Sequence, residues 1–208
     1  MIYPDVSIIV TNYNYGKYLA RCLRSCLSQK NVNVEVIIID DVSTDDSDDI
    51  IQAFLDDSRV RYYKNKENVG VSMSSNVGLK KSRGQFFVRV DADDFIHEEM
   101  CHYLKLYLEL NKDVFCVSCD YVLVSETEEK IERKYAGKDN ISCGIMYRRD
   151  LLLSLGGYND KMRHKEEEEL RKRLDSYYKI HHSGMPFYRY RMHKNNKTKS
   201  PEYFKTEI

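Results

Sequence analysis

Short apolar runs alternate with longer amphipathic stretches along the first half of the chain. The runs at residues 6–10, 34–39, 59–64 and 85–90 have the composition of buried β-strands. The stretches between them, at residues 18–29, 45–55, 70–81 and from 100 onwards, have helical spacing or helix-start signals. Strand and helix therefore alternate four times. This order predicts a parallel sheet with helices on both faces and right-handed crossovers.

The second half of the chain is less regular. We expect strands at residues 114–124, 130–135, 142–147 and 187–192 and helices at residues 150–155 and 165–178. Residues 130–135 alternate but are heavily charged, which is typical of an edge strand. The whole pattern predicts an α/β fold with a central, mostly parallel sheet flanked by helices and a small antiparallel edge.

Three of the predicted strands end in polar clusters. These clusters are Thr11-Asn12-Tyr13-Asn14, Asp40-Asp41 and Asp91-Ala92-Asp93-Asp94. Because the carboxyl ends of parallel strands meet at one edge of a sheet, we expect the three clusters to form one site. Several carboxylates directly after a buried strand cost free energy unless a positive charge lies near them. A hard divalent cation is the simplest such partner. For the last cluster taken alone, a solvated acidic turn is the alternative.

Charge and motifs exclude several other functions. The 33 acidic and 33 basic residues balance, so nothing predicts a nucleic-acid partner. No apolar run reaches the roughly 18 residues of a membrane span, and we expect no signal peptide. The sequence also lacks a P-loop and a dinucleotide-binding GxGxxG pattern after the first strand.

The six cysteines predict a reduced, cytoplasmic protein. Cys22 and Cys26 share one predicted helix face, which favours packing in the core. Cys116 and Cys119 have zinc-like spacing, but an odd spacing on a strand directs the two side chains to opposite faces. We therefore expect no zinc site. Peripheral contact with the inner face of a membrane is left open.

Several segments together resemble the family 2 glycosyltransferases, which have the GT-A fold. The segments are residues 6–14, residues 39–45, Asn68-Val69-Gly70, Asn76-Val77-Gly78, Asp91-Ala92-Asp93-Asp94, residues 156–160, residues 166–170 and residues 191–196. Each motif alone is weak, but their order and spacing are specific. The resemblance implies a single GT-A domain over residues 1–208, with a nucleotide-sugar half at about 1–96 and an acceptor-binding and catalytic half at about 97–208.

The resemblance implies that a nucleoside-diphosphate sugar binds at the strand ends. Tyr13 would stack on the base, and Thr11 would approach the nucleoside. Asp40 would accept a hydrogen bond from a base N–H, which suits uracil but also guanine. Asp40 therefore does not decide the base. Among the nucleotides, UDP is the expected one. Asn76 and Arg191 would add further contacts to the donor.

The resemblance also implies a Mn²⁺ or Mg²⁺ ion at the acidic cluster. Asp93 would bind the metal directly, and Asp91 would hold the ribose or a metal-bound water. His193, in an Arg-x-His-x-x-Asn element, would contact the metal or the diphosphate. Asp94 is expected to cap the following helix.

An acidic residue at the start of the late helix would be the general base that takes a proton from the acceptor. The family pattern places the base at Glu167, where Glu stands in place of the usual Asp. Glu166 and Glu168 remain alternatives, because four adjacent glutamates make the register uncertain by one. At least two of the four glutamates are expected to be solvated residues of the first helical turn, because a helix cannot direct all four side chains into one cleft.

Two further positions stay open. Ser75 stands where many relatives have Arg, so Arg83 or Arg89 would have to supply the lost donor contact. Asp41 either supports its loop as an N-cap or contacts the ligand.

The expected function is metal-dependent, inverting transfer of a sugar from a nucleoside-diphosphate sugar to a hydroxyl-bearing glycan or glycolipid, in surface polysaccharide or glycolipid synthesis. A degenerate nucleotide-sugar-binding protein is one alternative, because of the glutamate run and Ser75. A nucleotidyltransferase is another, although it would need a Gly-rich basic loop after the first strand. A partner protein for the acceptor side is left open.

Overall fold

The structure is a computed structural model, and it describes residues 3–139, 141–162, 165–174 and 178–196. The strands in these ranges are β1 (Val6–Asn12), β2 (Val34–Asp40), β3 (Val60–Lys64), β4 (Phe86–Asp91), β5 (Phe95–Ile96), β6 (Cys116–Val124), β7 (Lys130–Lys134), β8 (Ile145–Arg148) and β9 (Ile180–Arg191). The helices are α1 (Gly16–Leu27), α2 (Ser47–Gln52), α3 (Gly70–Lys81), α4 (Met100–Leu110), α5 (Arg149–Ser154) and α6 (Glu166–Leu174).

All these strands belong to one mixed sheet with the order β3-β2-β1-β4-β8-β6-β9-β5, and β7 pairs with β6. The first four strands of this order are parallel, as the alternation of strand and helix predicts. Antiparallel pairs join β8 to β4 and β6, β7 to β6, and β5 to β9. The charged strand β7 pairs with the carboxyl-terminal part of β6, beyond the residues of β6 that pair with β8.

Helices cover both faces of the sheet. Ile8 and Val10 of β1 pack in a core with residues of α1, α2 and α4, whereas Ile9 packs in a second core with residues of α3, α5 and α6. Because both faces are buried, β1 reads as a continuous apolar run in the sequence.

The cysteines lie where their spacing predicts. Cys22 and Cys26 lie on the buried face of α1 and pack in the core. Cys119 lies in this same core, but Cys116 lies in the core on the opposite face of the sheet. The two thiols of the CxxC segment therefore point to different faces of β6. No helix in the described part of the chain is long and apolar enough to span a membrane.

The bounds of several elements differ from the sequence-based expectation; strand β8, for example, begins at residue 145 instead of 142. Strand β9 begins at residue 180 rather than 187, because its first residues pair with β6, a long-range interaction that local alternation does not reveal. Strand β5 is a two-residue strand held by β9 and was not expected. Helix α2 ends at residue 52 instead of 55. Helix α6 was predicted to run to residue 178 and is described as far as residue 174. Residues 175–177 lie outside the described residues.

Candidate active site

A cavity of about 320 Å³ lies at the carboxyl-terminal ends of the central parallel strands. The register of the sheet brings these ends level: Thr11 pairs with Asp91, and the next residue of β1 pairs with Asp40. The expectation that the three polar clusters meet at one sheet edge is thus confirmed. Of the predicted site residues, Thr11, Tyr13, Asp91 and Asp93 line this cavity.

Asp93 is fixed on two sides. Its Oδ2 lies 2.9 Å from Nε2 of His193. Its backbone carbonyl accepts a hydrogen bond from Nε of Arg191 at 2.9 Å. His193 in turn stacks on Tyr18, with ring centroids 4.9 Å apart. His193 and Arg191 are both buried and hold Asp93 in place, but neither lines the cavity.

Asp94 does not cap a helix, contrary to the sequence-based expectation. Helix α4 begins only at Met100. The Asp94 carboxylate instead accepts hydrogen bonds from the Tyr188 hydroxyl at 2.7 Å and from the Arg191 amide at 2.8 Å. Burial, together with the charges of Asp93 and Asp91, raises the pKa of Asp94 well above its usual value. Asp94 therefore connects the acidic turn to β9, a long-range partner that short-range capping rules cannot predict.

The acidic turn fits a divalent cation only in part. The carboxylates of Asp91 and Asp93 line the same cavity and are hard oxygen donors. Within the ranges that the structure describes, no group of three or more His, Cys, Asp and Glu side chains has the arrangement of a metal site. Mg²⁺ is commonly held by one or two carboxylates together with phosphate oxygens and waters. The donor set therefore suits a metal that arrives with a diphosphate.

The glutamates at the start of α6 occupy different environments. Glu166 is buried, lines the cavity and accepts a hydrogen bond from Nη1 of Arg89 at 2.7 Å. Glu167 is also buried, but it does not line the cavity, and it accepts a 2.6 Å hydrogen bond from the Tyr147 hydroxyl. Glu168 is exposed and does not line the cavity. The structure therefore leaves Glu166 and Glu167 as candidates for the base.

Glu167 has the electrostatic character of a base that works near neutral pH. Burial raises the pKa of Glu167 to about 7, while the Arg171 charge and the Tyr147 hydrogen bond oppose this rise. Its Oε2 has no hydrogen-bond partner among the described residues, although it is buried. A carboxylate with a pKa close to the working pH is suited to accept a proton.

Two predicted donor-binding residues are used elsewhere in the fold. Asp40 is buried, and its carboxylate accepts hydrogen bonds from Asn12 and Ser43. Asn76 donates to the Tyr158 carbonyl at 2.8 Å and accepts from the Tyr158 amide at 2.9 Å. Neither of the two lines the cavity. Asp40 therefore lies at the shared sheet edge without lining the cavity, whereas Asn76 holds the Tyr158 segment.

The positions left open by the sequence have clear environments. Asp41 lines the cavity, and its carboxylate accepts hydrogen bonds from the amides of Val69 and Gly70, which fixes the start of α3. Arg83 pairs with Glu35 near the amino-terminal end of β2, whereas the cavity lies at the carboxyl-terminal ends of the strands. Arg89, in contrast, lines the cavity. Arg89 is therefore the only one of the two proposed substitutes for the arginine at position 75 that reaches the site.

Some cavity residues were not anticipated. Tyr15 follows Tyr13 in the same polar turn, so the sequence did contain a signal for it. Tyr121 on β6 and Tyr190 on β9 also line the cavity. No local signal could have found these two, because their position depends on the parallel pairing of β6 with β9.

Solved structures share this fold. The S. aureus TarS fragment 1–349 in complex with UDP-GlcNAc has a TM-score of 0.78 and 20% sequence identity over 98% of this chain and 62% of that one. The mannosyltransferase PcManGT from Pyrobaculum calidifontis, in complex with GDP-Man and Mn²⁺, has a TM-score of 0.75 and 18% identity over 94% of this chain and 59% of that one. These similarities confirm the predicted GT-A-like α/β fold.

Curated relatives share the sequence pattern. Glycosyltransferase GlyG of Streptococcus pneumoniae is 33% identical over 135 residues, which are 64% of this chain and 44% of GlyG. Chondroitin synthase of Escherichia coli is 35% identical over 132 residues, which are 63% of this chain and 18% of the synthase. The chain thus spans less than half the length of these relatives. Residues 7–156 match the family described as "Glycosyl transferase family 2", and the chain belongs to this family.

Proposed function

We propose that this chain is the catalytic unit of a metal-dependent, inverting glycosyltransferase. Its donor is a nucleoside-diphosphate sugar, with UDP as the expected nucleotide, and its acceptor is a hydroxyl group of a glycan or glycolipid. The observation that carries the proposal is one cavity that joins an exposed tyrosine, Tyr13, to an acidic strand end, Asp91 and Asp93, and to a glutamate-bearing helix start, Glu166.

The donor would lie along the strand ends. Tyr13 is 42% exposed at the cavity, so its ring is available to stack on a base. Asp91 and Asp93 would hold Mn²⁺ or Mg²⁺ together with the diphosphate, and the metal would neutralise charge on the leaving group. PcManGT, whose structure holds GDP-Man and Mn²⁺, and TarS, whose structure holds UDP-GlcNAc, support a nucleotide-sugar donor.

The reaction would be a single displacement. The acceptor oxygen forms a bond to the anomeric carbon while the bond from that carbon to the diphosphate oxygen breaks. The hydroxyl proton passes to a glutamate at the start of α6, and the nucleoside diphosphate leaves with the electron pair. Attack from the side opposite the leaving group inverts the anomeric configuration.

We assign the general base to Glu167. The family pattern selects this position, and a pKa of about 7 allows its carboxylate to take up a proton at neutral pH. Glu166 is the rival, because it lines the cavity directly. However, its carboxylate is already engaged by a 2.7 Å hydrogen bond from Nη1 of Arg89.

The test is an assay of donor turnover with a panel of nucleotide sugars, with Mn²⁺, with Mg²⁺ and with a chelator. Release of nucleoside diphosphate that requires the metal supports the proposal. Formation of pyrophosphate would indicate a nucleotidyltransferase, and binding without turnover would indicate a nucleotide-sugar-binding protein. Thermal shifts with UDP, GDP, dTDP and CMP in the presence of Mn²⁺ identify the nucleotide, because a ligand that binds the native state stabilises it.

A further inference from the structure

Arg89 is a buried cation in the middle of a core strand. It lies between two apolar residues of β4 and is 2% exposed. Removing a guanidinium from water costs several kcal/mol, and an apolar side chain of similar volume often serves stability as well or better. Stability alone therefore gives no reason for a charge at this position of β4.

The guanidinium of Arg89 spans two carboxylates from different parts of the site. Nη1 donates to Oε1 of Glu166 at 2.7 Å, at the start of α6. Nε lies 3.4 Å from Oδ1 of Asp91, at the end of β4. The guanidinium carbon also lies 5.5 Å from the centre of the Tyr158 ring, which limits its movement. One side chain thus links the donor end of the cavity to the helix that bears the candidate bases.

Arg89 also lies where the sheet opens. The pairing of β4 with β8 covers residues 86–88 and ends just before Arg89. Beyond this point the cavity begins, and Arg89 forms part of its wall. Its buried Nε makes no hydrogen bond to any of the described residues. Past the paired residues 86–88, the ion pairs of Arg89 connect the end of β4 to the start of α6.

We propose that Arg89 is a positioning residue that sets the distance between the bound donor and the start of α6. The inference rests on the proposed function. Arg89 acts through Asp91 and Glu166: the two ion pairs hold the acidic strand end and the first turn of α6 in one geometry. Without them the acceptor hydroxyl, the anomeric carbon and the base would be out of line.

The test compares three variants in the donor-turnover assay at saturating metal. Arg89→Met removes the charge and keeps the length of the side chain. Arg89→Lys keeps the charge but loses the planar fork that can face two carboxylates. Arg148→Met is the matched control, because Arg148 binds the carbonyls of Leu108 and Val114, and neither it nor these two residues line the cavity.

We expect Arg89→Met to lower kcat about a hundredfold, the effect of a misplacement of about 1 Å, with the donor KM changed by less than about threefold. Arg89→Lys should recover about tenfold of that loss, and Arg148→Met should keep kcat within about threefold of the wild type. Circular dichroism confirms that each variant is folded at the assay temperature.

Three results would overturn the inference while the proposed function stands. These are a wild-type kcat in Arg89→Met, a loss confined to the donor KM, and an equal loss of kcat in Arg148→Met. A wild-type chain that releases nucleoside diphosphate from none of the donors overturns the proposed function and, with it, this inference.

Discussion

The two sides of the cavity are built in different ways. On the side proposed to bind the donor, Thr11 and Asp91 lie at the ends of neighbouring parallel strands and pair with each other, so the sheet register brings these ends level. On the side proposed to bind the acceptor, Glu166 begins a helix, while Tyr190 reaches the cavity from a strand that pairs with β6. A parallel sheet aligns the ends of its strands by its own geometry. The acceptor side has no such rule and depends on specific long-range contacts.

The largest effect should follow a change on the donor side. We expect Asp93→Ala to lower metal-dependent turnover about a thousandfold, because the loss of a group that stabilises transition-state charge has effects of this size. The measurement is nucleoside diphosphate release at increasing Mn²⁺ concentration. Asp150→Ala serves as the control, since the Asp150 side chain is exposed and remote from the cavity. Undiminished turnover of Asp93→Ala in chelator would remove Asp93 from the metal site.

The second prediction concerns the acceptor side. We expect Glu167→Gln to lower kcat about a hundredfold or more while donor binding is kept, because an amide cannot take up the acceptor proton. Glu166→Gln should retain more activity, and its loss should arise from the ion pair with Arg89. Parallel kcat measurements on the two variants make the assignment. If Glu166→Gln is inactive and Glu167→Gln is active, the base is Glu166.

The pH dependence of the wild-type enzyme tests the assignment of the base to Glu167 without the need for an inactive variant. Since burial raises the pKa of Glu167 to about 7, its carboxylate is protonated below that pH and cannot act as a base. We expect kcat/KM to rise about tenfold per pH unit below pH 7 and to level off above it. Wild type and Glu166→Gln should share this acidic limb. An acidic limb near pH 4.5 in the wild type would exclude Glu167.

The sequence predicts the donor side of the cavity better than the acceptor side, because only the strand ends are aligned by the geometry of a parallel sheet. Thr11, Tyr13, Asp91 and Asp93 lie at or just after the ends of their strands, and a parallel strand order was enough to place them in one cavity. The sequence could not show that Asn76 turns towards Tyr158, because that partner lies on a segment far along the chain.

The late elements show the limit most clearly. Strand β9 starts seven residues before its apolar pattern does, since its first part is held by β6 and not by its own alternation. The roles of Asp94 and Arg191 likewise depend on contacts between β9 and the acidic turn. Each of these features is fixed by a pairing that a single sequence does not contain.

A smaller effect is expected for the exposed aromatic residue of the donor side. Tyr13→Ala should weaken UDP binding about tenfold, because stacking of a base on an aromatic ring contributes about 1–3 kcal/mol. Isothermal titration with UDP and Mn²⁺ measures the change. Tyr13→Phe is the matched control and should bind as the wild type does, since the ring face is kept. Equal binding by all three proteins would show that Tyr13 is only a loop residue.

The smallest effect on activity should come from Asn76, which joins α3 to the segment around Tyr158. Asn76 on α3 binds both backbone groups of Tyr158, and Gly157 packs so closely that a Cβ there would collide with Oδ1 of Asn76. Asn76→Ala would leave buried backbone groups without partners, so we expect the free energy of unfolding to fall by about 2 kcal/mol.

Donor affinity should stay near the wild-type value in Asn76→Ala, because Asn76 does not line the cavity. Denaturant unfolding and UDP titration on the same variant separate the two roles. Asn111→Ala provides the reference, since it removes a single bond to the Tyr107 carbonyl and should cost about 1 kcal/mol. Lower UDP affinity with unchanged stability would return Asn76 to the donor site and would extend that site beyond the strand ends. A stability loss with unchanged UDP affinity would show that Asn76 holds the Tyr158 segment against α3 and does not bind the donor.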